Sequence, residues 1–302
     1  MIIAVDAMGG DLGPAEIVKG IIAAVKEFEV KIIIVGIESV IRELLDNYKD
    51  YDRSRIEILH ADDVITMEDT PTAALKHKKN SSIAIGINAV KNGQADCFIS
   101  TGNTGAVMAC ATMRLGRLEG IDRPGIAVTL PNAKKSVTVV MDVGSNVDCK
   151  PEHLLHYSIM GSEYAKVILN KSEVTVGLLN IGEEPSKGNE LAKATFELLK
   201  SKTKNFIGNV EGRDIYRSKS DVVICDGFIG NIVLKVSEGL AETLFGLIRS
   251  GIKERFIYKL GAFLLKGFFK KFKKTIEYSE YGGAPLLGVN GYCIICHGRS
   301  SA

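Results

Sequence analysis

The chain has 302 residues, 46% of them apolar and 25% charged, with a formal net charge of +2 and no low-complexity stretch. That composition excludes a disordered protein and is ample for a large core, built as one big α/β domain or as two lobes. No uninterrupted apolar run approaches the roughly 18–20 residues of a membrane span, and no nucleic-acid partner is expected.

Met1 leads directly into an apolar strand pattern without a charged, cleavable leader, and the six cysteines (97, 110, 149, 225, 293, 296) lie mostly inside apolar runs. Both features point to a cytoplasmic chain with reduced thiols. Cys293 and Cys296 form a lone C-x-x-C. Residues three apart on a strand point to opposite faces, so zinc is not expected there.

In chain order the strand-like runs are IIAVDA (2–7), KIIIVGI (31–37), RIEILHA (55–61), ADCFIST (95–101), GIAVTLP (125–131), SVTVVMDVG (136–144), EVTVGLLNIG (173–182), NFIGNV (205–210), DVVICDG (221–227) and GYCIICHG (291–298). Helical periodicity fills most of the intervals, as in PAEIVKGIIAAVKEF (14–28), where Pro14 suits a first helical turn. Alternating β and α with near-continuous apolar strands predicts a largely parallel sheet covered on both faces. With neither repeats nor a linker rich in Pro, Gly or Ser, residues 1–302 are expected to form a single α/β domain with two lobes.

Polar residues collect where the strands end: DAMGGDLG (6–13), STGNTGA (100–106), DVGSNVD (142–148), NIGEEPSKGNE (180–190), NVEGRD (209–214) and DGFIGN (226–231). Open α/β sheets bind ligands at the carboxyl ends of their strands, so these loops are expected to converge on one cleft. Glycine lets backbone N–H groups approach an anion, and a following helix adds a favourable dipole. TGNTGA, with Asn103, Thr104 and Gly105, reads as such a cradle, and the loop holding Asp6, Gly9 and Gly10 as a second; tight turns packing helices onto strands are the alternative. Neither matches G-x-G-x-x-G in a βαβ unit, and G-x-x-x-x-G-K-[ST] is absent, so nicotinamide and P-loop chemistry lose support.

Lys187 could neutralise a phosphate or a developing oxyanion, with Asn180 and Glu183 fixing its position, or it could belong to a solvated helix start. Asn231 offers an amide donor at another helix N-terminus. His77 follows a charged helical stretch and could reach an anion, and His297 ends the last apolar run as a plausible cleft residue. His153 and His156 stand three apart in a helical pattern, an arrangement more often found on a surface than around a metal. No Ser or Cys sits in a G-x-S-x-G elbow, so the nucleophile is expected to be a bound anion, with no covalent enzyme intermediate, no cofactor and no metal.

Residues 249–276 form a basic amphipathic excursion. Nine basic residues and one acid between 249 and 274 give it a charge of +8, leaving −6 for the rest of the chain. At 100° per residue, Phe256, Ile257, Leu260, Phe263 and Leu264 share an arc of roughly 120°, beside Arg255, Lys259 and Lys266. Beyond Gly267 the phase slips, and Phe268, Phe269, Phe272 and Ile276 oppose Lys270, Lys271, Lys273 and Lys274. The pattern predicts two short amphipathic helices hinged at Gly267 that lie on an anionic membrane surface; burial at a dimer interface is the alternative.

Taken together, IAVDAMGGDLGP, STGNTGAVMA, GIDRPGIAVTLP, DVGSNVDCKPEHL, VGLLNIGEEPSKGNE, NFIGNVEGRDI, DGFIGNIVLK and YGGAPLLGVNG…HG run in order over essentially all 302 residues. They resemble the acyl-acyl-carrier-protein:phosphate acyltransferases of bacterial phospholipid synthesis. The resemblance implies a three-layer α/β/α sandwich like that of isocitrate/isopropylmalate dehydrogenases and phosphotransacetylase, with two lobes around a cleft, and a homodimer. It implies that a long-chain acyl group passes from acyl carrier protein to inorganic phosphate. The acyl phosphate then goes to a membrane-bound glycerol-3-phosphate acyltransferase, which suits attachment to the inner face of the cell membrane. Backbone N–H groups, Lys187 and Asn231 could stabilise the oxyanion of that reaction. Two features depart from the family pattern: its members usually continue with a further helix after the strand that reads CIICHGRSSA here, and the 252–276 segment varies among them. Three rival readings remain: a decarboxylating dehydrogenase, which the arginine-poor loops disfavour; a phosphotransacetylase-like enzyme acting on acyl-CoA; and a non-catalytic membrane adaptor that binds acyl carrier protein.

Overall fold

The computed structural model describes residues 1–269, 272 and 283–302, so Lys270, Lys271, Lys273, Lys274 and Ile276 lie outside the described residues. The chain divides into two compact units, Met1–Pro124 with Gly283–Ala302, and Gly125–Gly282. Elements are numbered along the chain.

In the first unit the chain runs through β1 (Ile2–Asp6), α1 (Gly13–Glu27), β2 (Lys31–Gly36), α2 (Glu38–Asp46), β3 (Ile56–His60), α3 (Pro71–His77), α4 (Ser82–Lys91), β4 (Cys97–Ser100) and α5 (Thr104–Arg114). It returns later as β10 (Ala284–Leu287) and β11 (Tyr292–Ile295). Pro14 does stand in the first turn of α1, where its missing N–H costs nothing. Strand order is β3-β2-β1-β4-β11-β10, parallel throughout except for the β10–β11 pair. Ile32 to Val35 of β2 are all buried because helices cover both faces, which is why this strand shows no alternation. On one side Val18, Ile21, Ile22 and Val25 of α1 pack against Ile32 and Ile34. On the other, α4 comes so near that a Cβ on Gly86 would overlap the ring of Phe98. The sequence did not reveal β10: it spans four residues, and Pro285 among them has no N–H for a ladder.

The second unit contains β5 (Gly125–Pro131), β6 (Val137–Met141), α6 (Pro151–Leu169), β7 (Val176–Leu179), α7 (Glu190–Lys202), β8 (Phe206–Val210), α8 (Gly212–Arg217), β9 (Val222–Ile224), α9 (Gly227–Glu254) and α10 (Phe256–Leu264). Within it the strand order is β5-β6-β9-β7-β8, antiparallel only at β5–β6. Gly161 lets α6 settle on Val222, Ile224 and Met141. On the opposite face the Thr138 hydroxyl donates to the Ile215 carbonyl of α8 at 2.8 Å. Each unit is therefore a mixed α/β body, its strands mostly parallel and helices packed on both faces. Loops that carry polar residues leave the C-terminal ends of β1 and β4 in the first unit, and of β6, β7, β8 and β9 in the second.

The excursion breaks twice, at Arg255 and again at Leu265, two residues before the Gly267 that its phase slip indicated. Helix α9 runs to Glu254, Arg255 is extended at φ −131° and ψ 145°, and α10 follows at once. Leu265 is a turn and residues 266–269 are helical again, so Gly267 is not the hinge. Tertiary packing decides this: α10 folds back on α9, and the Phe272 ring meets Phe245 with centroids 6.0 Å apart. An extended residue needs no glycine, and the Arg255 guanidinium lies 5.7 Å from the centre of the Tyr258 ring.

Candidate active site

In the second unit Lys187 and Asn231 stand beyond the C-terminal ends of the neighbouring parallel strands β7 and β9. The Asn180 amide donates to the Lys187 carbonyl at 3.0 Å and so fixes the loop's backbone. Gly188, at φ +95°, takes a conformation that side chains avoid, and a Cβ there would lie 2.6 Å from the Asn180 side chain. The Asn209 amide ties the Glu184 carbonyl to the end of β8 at 2.9 Å. Lys187 rests its stem over Gly182, and among the described residues its ammonium has no hydrogen bond or ion pair. Glu183 does not hold Lys187 as expected. Its carboxylate pairs with Lys219 at 2.6 Å, and that bond, helped by Asp214, pushes the Lys219 ammonium above its ordinary range.

Asn231 lies in the first turns of α9, where Asp226 caps the helix by accepting the Ile229 N–H at 2.9 Å. Its exposed side chain sits on Gly144, where a Cβ would lie 3.5 Å away from it and where φ is +127°. The loop carrying Gly144 is organised by Asp142, which is wholly buried. Ile126 and Ser145 donate their N–H groups to one oxygen at 3.0 and 3.1 Å. The Ser145 hydroxyl, the Asn146 N–H and the Asn146 amide reach the other at 2.5, 2.8 and 3.3 Å. Burial pushes the carboxyl above its ordinary range, while these bonds favour the ionised form and pull the other way. Asp142 was not singled out in the sequence. Its signal is an acid closing an apolar strand, followed directly by small polar turn residues.

The first unit repeats this device at Asp6. Its buried carboxylate accepts the Ser100 hydroxyl at 2.7 Å and the Met8 N–H at 3.0 Å. Burial raises its pKa, and bonds from Ser82, Ser100, Met8 and Gly9 oppose that shift. Gly9 is required by loop-to-loop approach, since a Cβ would lie 2.7 Å from the Gly102 nitrogen. Gly10, at φ +83°, abuts Thr101 and the Gly298 carbonyl, which accepts from Asp11 N–H at 2.7 Å. His297 stands beside that carbonyl, its Nδ1 accepting the Arg299 N–H at 3.1 Å. Asp6, Gly9 and Gly10 thus lie against Ser100, Thr101 and Gly102, and Gly10 against the Gly298 carbonyl next to His297.

Two readings of this unit change in detail. Asn103 is committed to structure: its oxygen caps α5 at Ala106 N–H, and its amide donates to the carbonyls of Thr66, Met67 and Asp69. Gly105 meets Pro71, whose Cγ would lie 2.7 Å from an added Cβ, so packing already demands glycine there. Thr104 opens α5, with its N–H among the helix's first donors. His77 ends α3, exposed and without a hydrogen bond among the described residues. His153 accepts the Lys150 N–H on Nδ1 at the start of α6. Among the described residues no three His, Cys, Asp or Glu side chains are grouped to hold a metal ion.

The folded chain is similar to two solved acyl-transferring enzymes. A phosphotransacetylase from Streptococcus pyogenes superposes with a TM-score of 0.60 at 16% identity, covering 80% of this chain and 82% of that one. A branched-chain phosphotransacylase from Enterococcus faecalis gives 0.57 at 13% identity, covering 100% and 94%. At such identities the likeness defines the fold class, a mixed α/β fold of the phosphotransacetylase kind. Sequence goes further. The family model described as "Fatty acid synthesis protein" matches residues 1–302. Proteins named phosphate acyltransferase from Dictyoglomus thermophilum and Desulfitobacterium hafniense are 48% and 50% identical over 303 and 302 residues, covering all of this chain and 90% of each relative. One from Pelotomaculum thermopropionicum is 48% identical over 302 residues, covering 100% and 87%. The chain belongs to the phosphate acyltransferase family and is an acyltransferase.

Proposed function

We propose that this enzyme transfers a long-chain acyl group from the thioester of acyl carrier protein to inorganic phosphate, giving acyl phosphate for phospholipid synthesis. The full-length match to phosphate acyltransferases carries the reading, and the loops after β7 and β9 supply chemistry suited to it. A phosphate oxygen attacks the thioester carbonyl, the tetrahedral intermediate collapses, and the carrier's thiolate leaves. A thiol of pKa about 8.5 leaves without a strong general acid, so the protein's task is to position phosphate and stabilise the oxyanion. Lys187, whose ammonium is unpaired among the described residues, and Asn231, on the first turns of α9, are the groups assigned to that task. In the first unit the first N–H groups of α5, at Thr104 and Gly105, are the proposed anion donors.

The same reading places the enzyme in the cytoplasm, attached to the inner face of the membrane, with a membrane-bound glycerol-3-phosphate acyltransferase as receiver. No helix among the described residues is long and apolar enough to cross a membrane. Helix α10 exposes Phe256, Leu260, Phe263 and Leu264 beside Lys259, Lys266 and Arg255, the chemistry of an anionic lipid surface. The stripe Ile232, Val236, Leu240, Leu244 and Leu247 along α9 is assigned to a second copy of the chain.

The decisive experiment incubates the enzyme with palmitoyl-acyl carrier protein and radiolabelled phosphate and looks for hydroxylamine-sensitive acyl phosphate. Label appearing only with palmitoyl-CoA would move the donor to coenzyme A, and label with neither would leave the adaptor reading.

A further inference from the structure

We propose that Asp142 is a positioning residue for Asn231: its carboxylate builds the 142–146 loop into the seat on which the Asn231 amide rests. The inference rests on the reading of Asn231 given above. Asp142 is fully buried, and among the described residues no lysine or arginine pairs with it. Every group that reaches the carboxylate is a donor: three backbone N–H groups, the Ser145 hydroxyl and the Asn146 amide. An ionised carboxylate accepts through about four lone-pair sites, and the protonated acid would turn an O–H towards a donor, so the ionised form is the one this shell fits.

The loop so formed is interlocked with the start of α9. The Gly227 N–H donates to the Asn146 carbonyl at 2.8 Å, and the Asp142 N–H to the Cys225 carbonyl at 3.0 Å. A Cβ on Gly227 would lie 2.8 Å from an Asp142 carboxylate oxygen, and one on Gly230 would overlap the Asp142 carbonyl. Gly144, between the donors Ser145 and Asn146 and the strand end, carries the Asn231 side chain directly. Weakening the carboxylate shell therefore moves the surface under Asn231 before it disturbs any other assigned residue.

The test is a double-mutant cycle on kcat. Asp142→Asn replaces one acceptor by an NH2 that faces donors whichever way the amide turns. We expect it to lower kcat by nearly as much as Asn231→Ala, on the order of 10²-fold, with both KM values within about threefold of wild type. The double variant should be no slower than Asn231→Ala alone, because the two act through one amide. Ser145→Ala, which keeps the charge and removes the hydroxyl that donates to Asp142 and accepts from the Asn146 amide, should give a smaller loss that also vanishes in the Asn231→Ala background. It decides the matter if circular dichroism shows that Asp142→Asn does not fold. Losses that multiply in the double variants overturn the positioning role and leave Asn231 catalytic. Asn231→Ala at the wild-type rate overturns the assignment of Asn231, and the inference with it.

Discussion

The Lys187 backbone is held by Asn180, while its ammonium has no hydrogen bond or ion pair among the described residues. Replacement by alanine should lower turnover by about two orders of magnitude while the circular dichroism spectrum stays unchanged. Near-normal turnover would return the residue to a solvated helix start. Glycines make a sharper comparison, because one substitution has opposite effects at two positions of α9. Alanine at Gly230 drives a methyl group into the Asp142 carbonyl, and backbone on both sides leaves little room to yield. Overpacking of that kind costs about 1–3 kcal/mol. At Gly239 nothing lies within 4 Å of the added Cβ. There alanine should stabilise by about 0.5–1 kcal/mol through helix propensity alone. Urea denaturation of the two variants reads the difference, and two losses of equal size would show that the close approach at Gly230 is not a constraint.

Among the elements, β7 and β9 are pinned by a single acid at their starts. Asp221 accepts from Lys171 at 2.6 Å and from the Thr175 N–H and hydroxyl at 2.9 and 3.0 Å. Burial works to raise its pKa, but these donors outweigh it and hold the carboxyl below the usual range. A depressed folded-state pKa means that the stabilisation is present above the unfolded value and is lost as pH falls through the folded one. Asp221→Asn should therefore lower stability by about 1–2 kcal/mol at neutral pH, discounted for the half-exposed lysine, with the gap to wild type closing below about pH 4. A gap that persists at pH 2 would assign the loss to packing.

Helix α10 leaves Phe256, Phe263 and Leu264 at 81%, 71% and 75% exposure. Each such side chain inserted into lipid could contribute up to about 1.5–3 kcal/mol, and each nearby basic residue about 1 kcal/mol. Partial insertion and ordering costs still leave enough for reversible attachment. The protein should sediment with anionic but not zwitterionic vesicles, less so in high salt. Leu260→Glu with Phe263→Glu should abolish sedimentation and leave turnover on soluble acyl-acyl carrier protein intact. Sedimentation unchanged in that variant removes α10 from the membrane surface.

For the whole molecule the exposed stripe of α9 is the larger question. Its residues recur every three or four positions over four turns, and among the described residues they are exposed. Val236→Glu with Leu240→Glu should halve the mass measured by light scattering, whereas an unchanged mass would place the second copy elsewhere or nowhere. Because this stripe is distinct from that of α10, the proposed dimer and the proposed membrane attachment should be lost separately in the two double variants. If the α10 variant itself becomes monomeric, that segment is an interface and the membrane assignment fails.

Sequence by itself determined the parts of this protein that obey a local rule. Apolar runs of β-branched residues mark ten of the eleven strands among the described residues, Pro14 marks a helix start, and motifs spread over the chain mark the family without any knowledge of the fold. The tertiary structure alone decided what depends on partners distant in sequence. Asn103 reads as part of an anion cradle or of a tight turn until three carbonyls from residues 66–69 are found around its amide. Glu183 reads as a partner of Lys187 until Lys219 arrives from 36 residues away. The excursion breaks first at Arg255, a position its periodicity did not mark, where α10 turns to pack on α9. Asp142 shows the same limit most plainly. An acid at the end of a strand has no evident role in the sequence, since the helix start that gives it one lies more than eighty residues further along the chain.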